Sequence, residues 1–330
     1  MNGFELILPF LRPIQELILD PDISEIMVNG PEQVFVEKDG YVQLVPKAKL
    51  TPESLMVAVK NIARRLGDDI SEAKPLLDSR LPDGSRVAAV IPPCSIQGVT
   101  LTIRKFNSHR FRMGNLIEVG TLTEELAAVL KRSVMDRKNI LICGGTGTGK
   151  TTMLNALTEC IPDHERIVLI EETAEIQIQK LNVVRFEARR EQKGFPAVTL
   201  RDLLKTTLRH RPDRIILGEI RGSEAFDLLQ LLNTGHSGTL STVHANSAAQ
   251  GISRFTSCVL QSGVEIPYRA IKTNIADSLN IIIQIKRRPG VRFISEVLEI
   301  LGYDPETDHY DLHSLYDKQD ESCRTRQNAA

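Results

Sequence analysis

Over the first hundred residues the apolar positions fall in short runs broken by turn residues. Ile26-Met27-Val28, Val34-Phe35-Val36 and Tyr41-Val42-Gln43-Leu44 read as strands, and Asn29-Gly30 and Asp39-Gly40 between them are hairpin signals. The pattern then changes period. Thr51-Pro52 opens a helix and Gly67 closes it, with Leu55, Val59, Ile62, Ala63 and Leu66 on one face. Strands return over residues 86–91 and 99–105, separated by Pro92-Pro93. This predicts a small α+β domain over residues 1–105. The opening Phe4 to Leu11 is apolar, but Glu5 stands where a signal peptide wants positive charge and Pro9 and Pro13 interrupt the run. A docked N-terminal arm is the expected form.

Residues 106–120 lack periodicity and carry Asn107-Ser108, Met113-Gly114-Asn115 and Gly120, so an interdomain linker is expected there. A helix then begins at Thr121-Leu122-Thr123-Glu124. Strands follow at 140–143, 167–170, 183–186, 215–218 and 239–243, with helical patterns between most of them. Such alternation predicts an α/β domain over 121–315, with a largely parallel sheet and helices on both faces. Residues 316–330 are polar and aperiodic and are expected to be disordered.

Composition narrows the function classes. The 330 residues suggest about two domains, and 42% apolar with 25% charged residues is ordinary for a globular chain. A net charge of −1 gives no global pull toward nucleic acid or membrane. No apolar run is long enough to span a bilayer. The five scattered cysteines, Cys94, Cys143, Cys160, Cys258 and Cys323, form no C-x-x-C pair, so reduced thiols rather than a zinc site are expected.

The most informative stretch is Gly144-Gly145-Thr146-Gly147-Thr148-Gly149-Lys150-Thr151, which fits the phosphate-loop pattern G-x-x-x-x-G-K-[ST]. Glycines let the backbone turn around an anion and aim its N–H groups inward. Lys150 can reach the outer phosphates, and the Thr151 hydroxyl can ligate Mg²⁺. An apolar strand precedes the loop. Thr151, Thr152 and the residues after them read as a helix whose positive end faces the phosphates. The nucleotide expected there is ATP.

Three later segments carry charge to strand ends. Ile167 to Ile170 leads into Glu171-Glu172-Thr173-Ala174-Glu175, either active-site carboxylates or a solvated strand end. Ile215-Ile216-Leu217 delivers Glu219, followed by Arg221. A carboxylate there can hold Mg²⁺ through water or polarise the attacking water. Arg221 is equally suited to pair with Glu171 or Glu172. His236 and His244 bracket the strand 239–243; a third ligand for a metal is lacking, and a phosphate-sensing or subunit-bridging role stands beside a structural one. A basic set, Arg185, Arg189, Arg190, Lys193, Arg201, Lys205, Arg209 and Arg211, is either a phosphate-backbone channel or an ion-paired face. Nucleic acid is the less favoured partner, because aromatic residues for stacking are scarce.

Taken in order, these segments resemble the motif set of the secretion-superfamily ATPases of type II and type IV secretion, conjugation and pilus machines. Gly144 to Thr151 resembles their Walker A loop, Glu171 to Glu175 the acidic box, Arg214 to Arg221 the Walker B segment, and Gly235 to His244 the His box. Residues 23–30, 80–87 and 101–106 resemble the tight-adherence (Flp) pilus branch in particular. The acidic box reads Glu-Glu-Thr-Ala-Glu where many relatives have Glu-Asp-Thr-Ala-Glu, and the long N-terminal extension common in that branch is missing, so a conjugation-type homologue stays open. The resemblance implies a RecA-like second domain, a PAS-like first domain, and a homohexamer with nucleotide between the domains. Catalytic roles are implied for Glu219, Glu172, Glu171 and His244, with Arg86 and Arg104 reaching the phosphates. It also implies a cytoplasmic enzyme at the inner face of the inner membrane, working on a platform protein there.

Overall fold

The computed structural model describes residues 3–38, 40–46, 50–106, 111–189, 191 and 194–318. They form two compact units, divided between His109 and Arg110.

In the first unit, short 3-10 turns lead into α1 (Gln15–Leu19). Then come β1 (Ile23–Asn29), β2 (Val34–Lys38), β3 (Tyr41–Leu44), α2 (Pro52–Arg65), β4 (Leu76–Arg80), β5 (Arg86–Val90) and β6 (Thr100–Arg104). The sheet is antiparallel in the order β3-β2-β1-β6-β5-β4. The N-terminal arm is docked as expected: Ile7, Leu11, Ile14 and Ile18 are buried in the same core as the inner face of α2. Helix α2 starts where Thr51 and Ser54 exchange side-chain and backbone bonds, with Pro52 at the first helical position. The sequence pattern did not anticipate β4. Arg86 and Arg104 are direct cross-strand partners on β5 and β6.

The second unit contains α3 (Met113–Glu118), α4 (Glu124–Met135), β7 (Ile140–Gly144), α5 (Lys150–Thr158), β8 (Ile167–Glu171), β9 (Val183–Glu187) and α6 (Leu200–Thr207). It continues with β10 (Arg214–Ile220), α7 (Glu224–Asn233), β11 (Leu240–Val243), α8 (Ala248–Leu260) and α9 (Tyr268–Ser278). It ends with β12 (Ile281–Arg288), β13 (Val291–Asp304) and β14 (His309–Asp317). The sheet order is β14-β13-β12-β7-β11-β10-β8-β9. Strands β12 through β9 in that order are parallel, while β13 and β14 add an antiparallel edge. Alternation along β7 explains the two covered faces. Leu141 and Cys143 join the core under α6 to α9, and Ile140 and Ile142 join the core under α3 to α5. Among the described residues no helix is long and apolar enough to cross a membrane.

Two expectations are corrected. Residues 113–118, placed in the aperiodic linker, are helix α3, with Leu116 buried against the α4–α5 core. Six residues are too few to show a period, and Gly114-Asn115 reads as a break. Residues 107–110 lie outside the described residues. Residues 316–317, placed in the tail, end strand β14, whereas 319–330 lie outside the described residues. The hairpin signal at Asp39 also lies outside them.

One buried arginine organises the floor of this unit. Arg214 at the start of β10 grips Glu165 through Nε, donates from Nη2 to Val134 O at 2.8 Å and from Nη1 to Gly238 O at 3.3 Å. It thereby ties β10 to the end of α4 and to the turn before β11. Both side chains are buried, so removing Arg214 leaves Glu165 in low dielectric with only the more exposed Arg137, 3.5 Å away, to pair with. Arg214→Ala is expected to cost about 3–5 kcal/mol, read as a lower urea midpoint. Arg214→Lys should recover only part of this, because a point charge lacks the planar fork. A midpoint unchanged in Arg214→Ala would mean that water replaces the guanidinium.

Candidate active site

Strand order fixes where the chemistry can lie. From β7 the chain crosses to β8, and β11 later inserts between β7 and β10, so the carboxyl ends of β7, β11 and β10 meet at a topological switch point. The phosphate loop leaves β7 there, Glu219 sits at the end of β10, and His244 follows β11.

The loop is built by close approach. A Cβ at Gly144 would stand 2.7 Å from Ile285 O of β12, so no other residue fits. Gly149 caps α5 with φ 97°, which L side chains rarely adopt. Thr148 is buried and its hydroxyl donates to Gly145 O at 3.0 Å, while Thr146 is exposed at the tip. Lys150, Thr151 and Thr152 form the first turn of α5, where unsatisfied N–H groups gather. Lys150 Nζ donates to Gly144 O at 3.1 Å and Gly145 O at 3.0 Å, and stands 3.5 Å from both ring nitrogens of His244. Sequence reading missed a brace on this loop. Arg292 Nε donates to Gly147 O at 3.0 Å, and Arg287 Nη1 lies 2.8 Å from where a Cβ of Gly147 would be. Both arginines come from the β12–β13 hairpin. Its signal was present as an isoleucine-rich strand run, Ile281 to Ile285, with the turn pair Pro289-Gly290 after it.

Glu219, Arg221, Glu172 and His244 converge. Arg221 Nε donates to Glu219 Oε2 at 2.8 Å, its Nη2 stands 2.6 Å from the same oxygen as an ion pair, and its Nη1 holds Glu172. His244 Nε2 stands 2.7 Å from Glu219 Oε1. That approach is of ion-pair length, yet the buried oxygen has no hydrogen bond among the described residues, so it is a contact rather than a bond. Burial and the Lys150 charge hold the His244 pKa below its ordinary value, against the pull of Glu219, which favours a neutral ring at pH 7. His236 lies at the other end of β11, beside Thr234.

Glu171 stands apart from this group. It is buried on the β8 face of Ile167 and Leu169, and its Oε1 accepts from the backbone N–H of Glu175 at 2.8 Å and Ile176 at 2.8 Å. Burial pushes its carboxyl up to about 7, against the pull of those two N–H groups. Between pH 4.5, its ordinary value, and about 7 the unfolded chain has lost this proton and the folded chain keeps it, so the group's contribution to stability falls as pH rises through that window. Glu171→Gln lacks the proton. It is expected to gain on the parent chain by on the order of 2–3 kcal/mol between pH 4.5 and 7 and to level off above. Urea denaturation of both chains at stepped pH checks this; parallel curves would make Glu171 an ordinary ionised carboxylate.

The oxygen donors suit a hard cation. The Thr151 hydroxyl and the Glu219 carboxylate, with its buried Oε1 lacking a hydrogen bond, fit Mg²⁺, which takes few protein ligands and completes its shell with water and phosphate. Among the described residues no cluster of three or more His, Cys, Asp or Glu could hold a metal by itself.

The basic set divides. Arg185 donates to Ile176 O at 3.2 Å and Ile178 O at 2.8 Å, and Arg189 to Pro196 O at 3.1 Å. Arg201 and Lys205 both pair with Asp227. Arg190 and Lys193 lie outside the described residues. In the first unit, Arg86 is within 3.7 Å of Asp78, and Arg104 is exposed at the end of β6.

A phosphate loop and a strand-end carboxylate at the switch point of a parallel sheet define a RecA-like phosphate-loop NTPase unit. Residues 11–298 match the family described as Type II/IV secretion system protein. The chain is 33% identical over 299 residues to the conjugal transfer protein TrbB of Rhizobium radiobacter, covering 88% of each. It is 32% identical over 336 residues to the type IV secretion system protein VirB11 of Bartonella henselae, covering 91% of this chain and 93% of that one. The Legionella pneumophila ATPase DotB has the same fold, with a TM-score of 0.63 at 19% identity over 91% of this chain and 82% of that one. The chain belongs to the type II/IV secretion system protein family.

Proposed function

We propose that the chain is a Mg²⁺-dependent ATPase that turns hydrolysis into mechanical work for a type IV secretion, conjugation or pilus machine. The convergence of Lys150, His244 and Glu219 carries this reading, because it sets a water-polarising carboxylate against the lysine of the phosphate loop.

In this reading the N–H groups of Gly144 to Gly149 and the first turn of α5, including Thr152, wrap the phosphates. Lys150 supplies charge to the outer ones, and Glu219 accepts a proton from the attacking water. Arg221 fixes Glu219 Oε2, so only Oε1 is left to face the water, and Glu172 holds Arg221 from the other side. Thr151 and, through water, Glu219 would hold Mg²⁺, which would supply positive charge to the phosphates. His244 touches both Lys150 and Glu219, which suits it to report the state of the phosphates. Glu171 holds the 171–176 turn and thereby the position of Glu172. Arg86 and Arg104 of the N-terminal unit add charge to the same phosphates.

The names of TrbB and VirB11 support a type IV or conjugal machine. The stretches 23–30, 80–87 and 101–106 support the tight-adherence pilus branch as the second reading. Either way the enzyme acts in the cytoplasm on an inner-membrane platform protein. A nucleic-acid translocase is weaker, since Arg185, Arg189, Arg201 and Lys205 are held by this chain's own carbonyls or by Asp227.

The working form in this reading is a ring of six. Mass photometry with a non-hydrolysable Mg-ATP analogue should show hexamers, or dimers and trimers that a platform protein completes. A monomer at every concentration and nucleotide state would overturn the ring.

A further inference from the structure

Beside the phosphate loop, and sharing Gly145 and Thr148 with it, lies a cavity of about 220 Å³ whose other walls the reaction described above does not use. Its walls come from the loop (Gly145, Thr148), from the segment after β11, and from β12, β13 and Lys318. Of the described residues lining it, four are cationic (Lys286, Arg287, Arg288, Lys318) and none is acidic.

Gln284 gives this basic cavity a direction. Its side chain is 2% exposed and lines the cavity from β12. The amide nitrogen donates to Ala245 O at 3.3 Å and to Ile285 O at 3.4 Å. Both partners only accept, so the orientation of the amide is fixed. Its Oε1 is buried and has no hydrogen-bond partner among the described residues. A buried acceptor left unpaired costs free energy comparable to a lost bond, so this oxygen calls for a donor. The cations are also gathered rather than spread. The Arg288 guanidinium and the Lys318 ammonium lie 5.2 Å and 4.8 Å from the ring centre of Phe293, which is buried in the cavity wall. The ligand that fits must therefore be anionic and must also donate one hydrogen bond.

We propose that this cavity binds inorganic phosphate as hydrogenphosphate. Its anionic oxygens face Arg288 and Lys318, and its P–OH donates to Gln284 Oε1. The volume holds a tetrahedral oxyanion with several waters, each water taking about 30 Å³. The inference rests on the hydrolysis reading, which makes phosphate a product formed at the loop whose Gly145 and Thr148 also line this cavity. Sulfate has the same shape and charge but no proton to donate at neutral pH. A site with a fixed acceptor therefore discriminates between the two anions.

The test is calorimetric titration of the full chain, saturated with ADP to occupy the phosphate loop, with inorganic phosphate and with sulfate. Phosphate should bind, and sulfate should bind about tenfold more weakly. Gln284→Met, of similar size but without the acceptor, should bring the two affinities together. Arg288→Ala, at an exposed position, should weaken both anions alike. Equal affinities in the parent chain, or no phosphate binding with ADP in place, would overturn the proposal. So would a preference for phosphate that survives Gln284→Met. A thermal melt shows whether each variant folds; if Gln284→Met does not, the phosphate-to-sulfate ratio of the parent chain decides alone. Failure of ADP to bind would overturn the hydrolysis reading instead. The ratio measured on the nucleotide-free chain and on Gln284→Met then still decides the phosphate site.

Discussion

Glu219→Gln is expected to lower ATP turnover by about 10²-fold or more while Mg-ATP still binds. Glutamine keeps the size of the side chain and its hold on Arg221, so packing at the end of β10 should persist. What it removes is the charge that draws a proton from water. The Oε1 that would do this is buried, 2.7 Å from His244, and lacks a hydrogen bond among the described residues. Lys150→Ala should behave differently. It withdraws a cation from the ground state as well as the transition state, so nucleotide binding should fall together with turnover. Steady-state rates and nucleotide titrations on the two variants separate these effects. Near-normal turnover in Glu219→Gln would move the base role to Glu172, since both Glu171 contacts go to its own turn.

Arg104→Ala, or Arg86→Ala, is expected to cut turnover by about 10³-fold with little change in melting temperature. An arginine at a developing phosphate charge can contribute that much, whereas the exposed Arg104, and the partly exposed Arg86 with its ion-pair partner at 3.7 Å, contribute little to folding. The two face each other across β5 and β6, so one pair of cations would be presented together. Each has a modest partner within its own unit: Asp78 stands 3.7 Å from Arg86, and the Arg104 charge acts on Glu25. Losing these weak partners should barely register in a melt. An ATPase assay and a thermal melt on the same samples decide. If both variants hydrolyse ATP normally, these arginines are ordinary surface residues, and the N-terminal unit does not supply charge to the phosphates.

The loop 144–151 was legible because its chemistry is contiguous: glycine spacing, lysine and the preceding apolar strand all lie in one window. Glu219 was legible for a similar reason, as the carboxylate that an apolar strand delivers. The assignment between Glu171 and Glu172 was not. It depends on strand parity, which turns Glu171 to the face of Ile167 and Leu169 and leaves Glu172 one residue beyond the strand. The antiparallel edge was missed although Ile281 to Ile285 is rich in β-branched residues and Pro289-Gly290 is a turn signal, and with it went Arg287 and Arg292 against Gly147. Gln284 could not be read at all, because a glutamine between isoleucines carries no mark of whether its oxygen finds a donor. The same holds for Arg214, whose partners Glu165, Val134 and Gly238 come from three separate segments.

The most direct measurement is phosphate release from Mg-ATP by the full chain, run beside Lys150→Ala under conditions where the assembled ring is present. Hydrolysis by this loop predicts steady release from the parent chain and its collapse in the variant. Equal release from both, or none from an assembled ring that binds Mg-ATP, would contradict it.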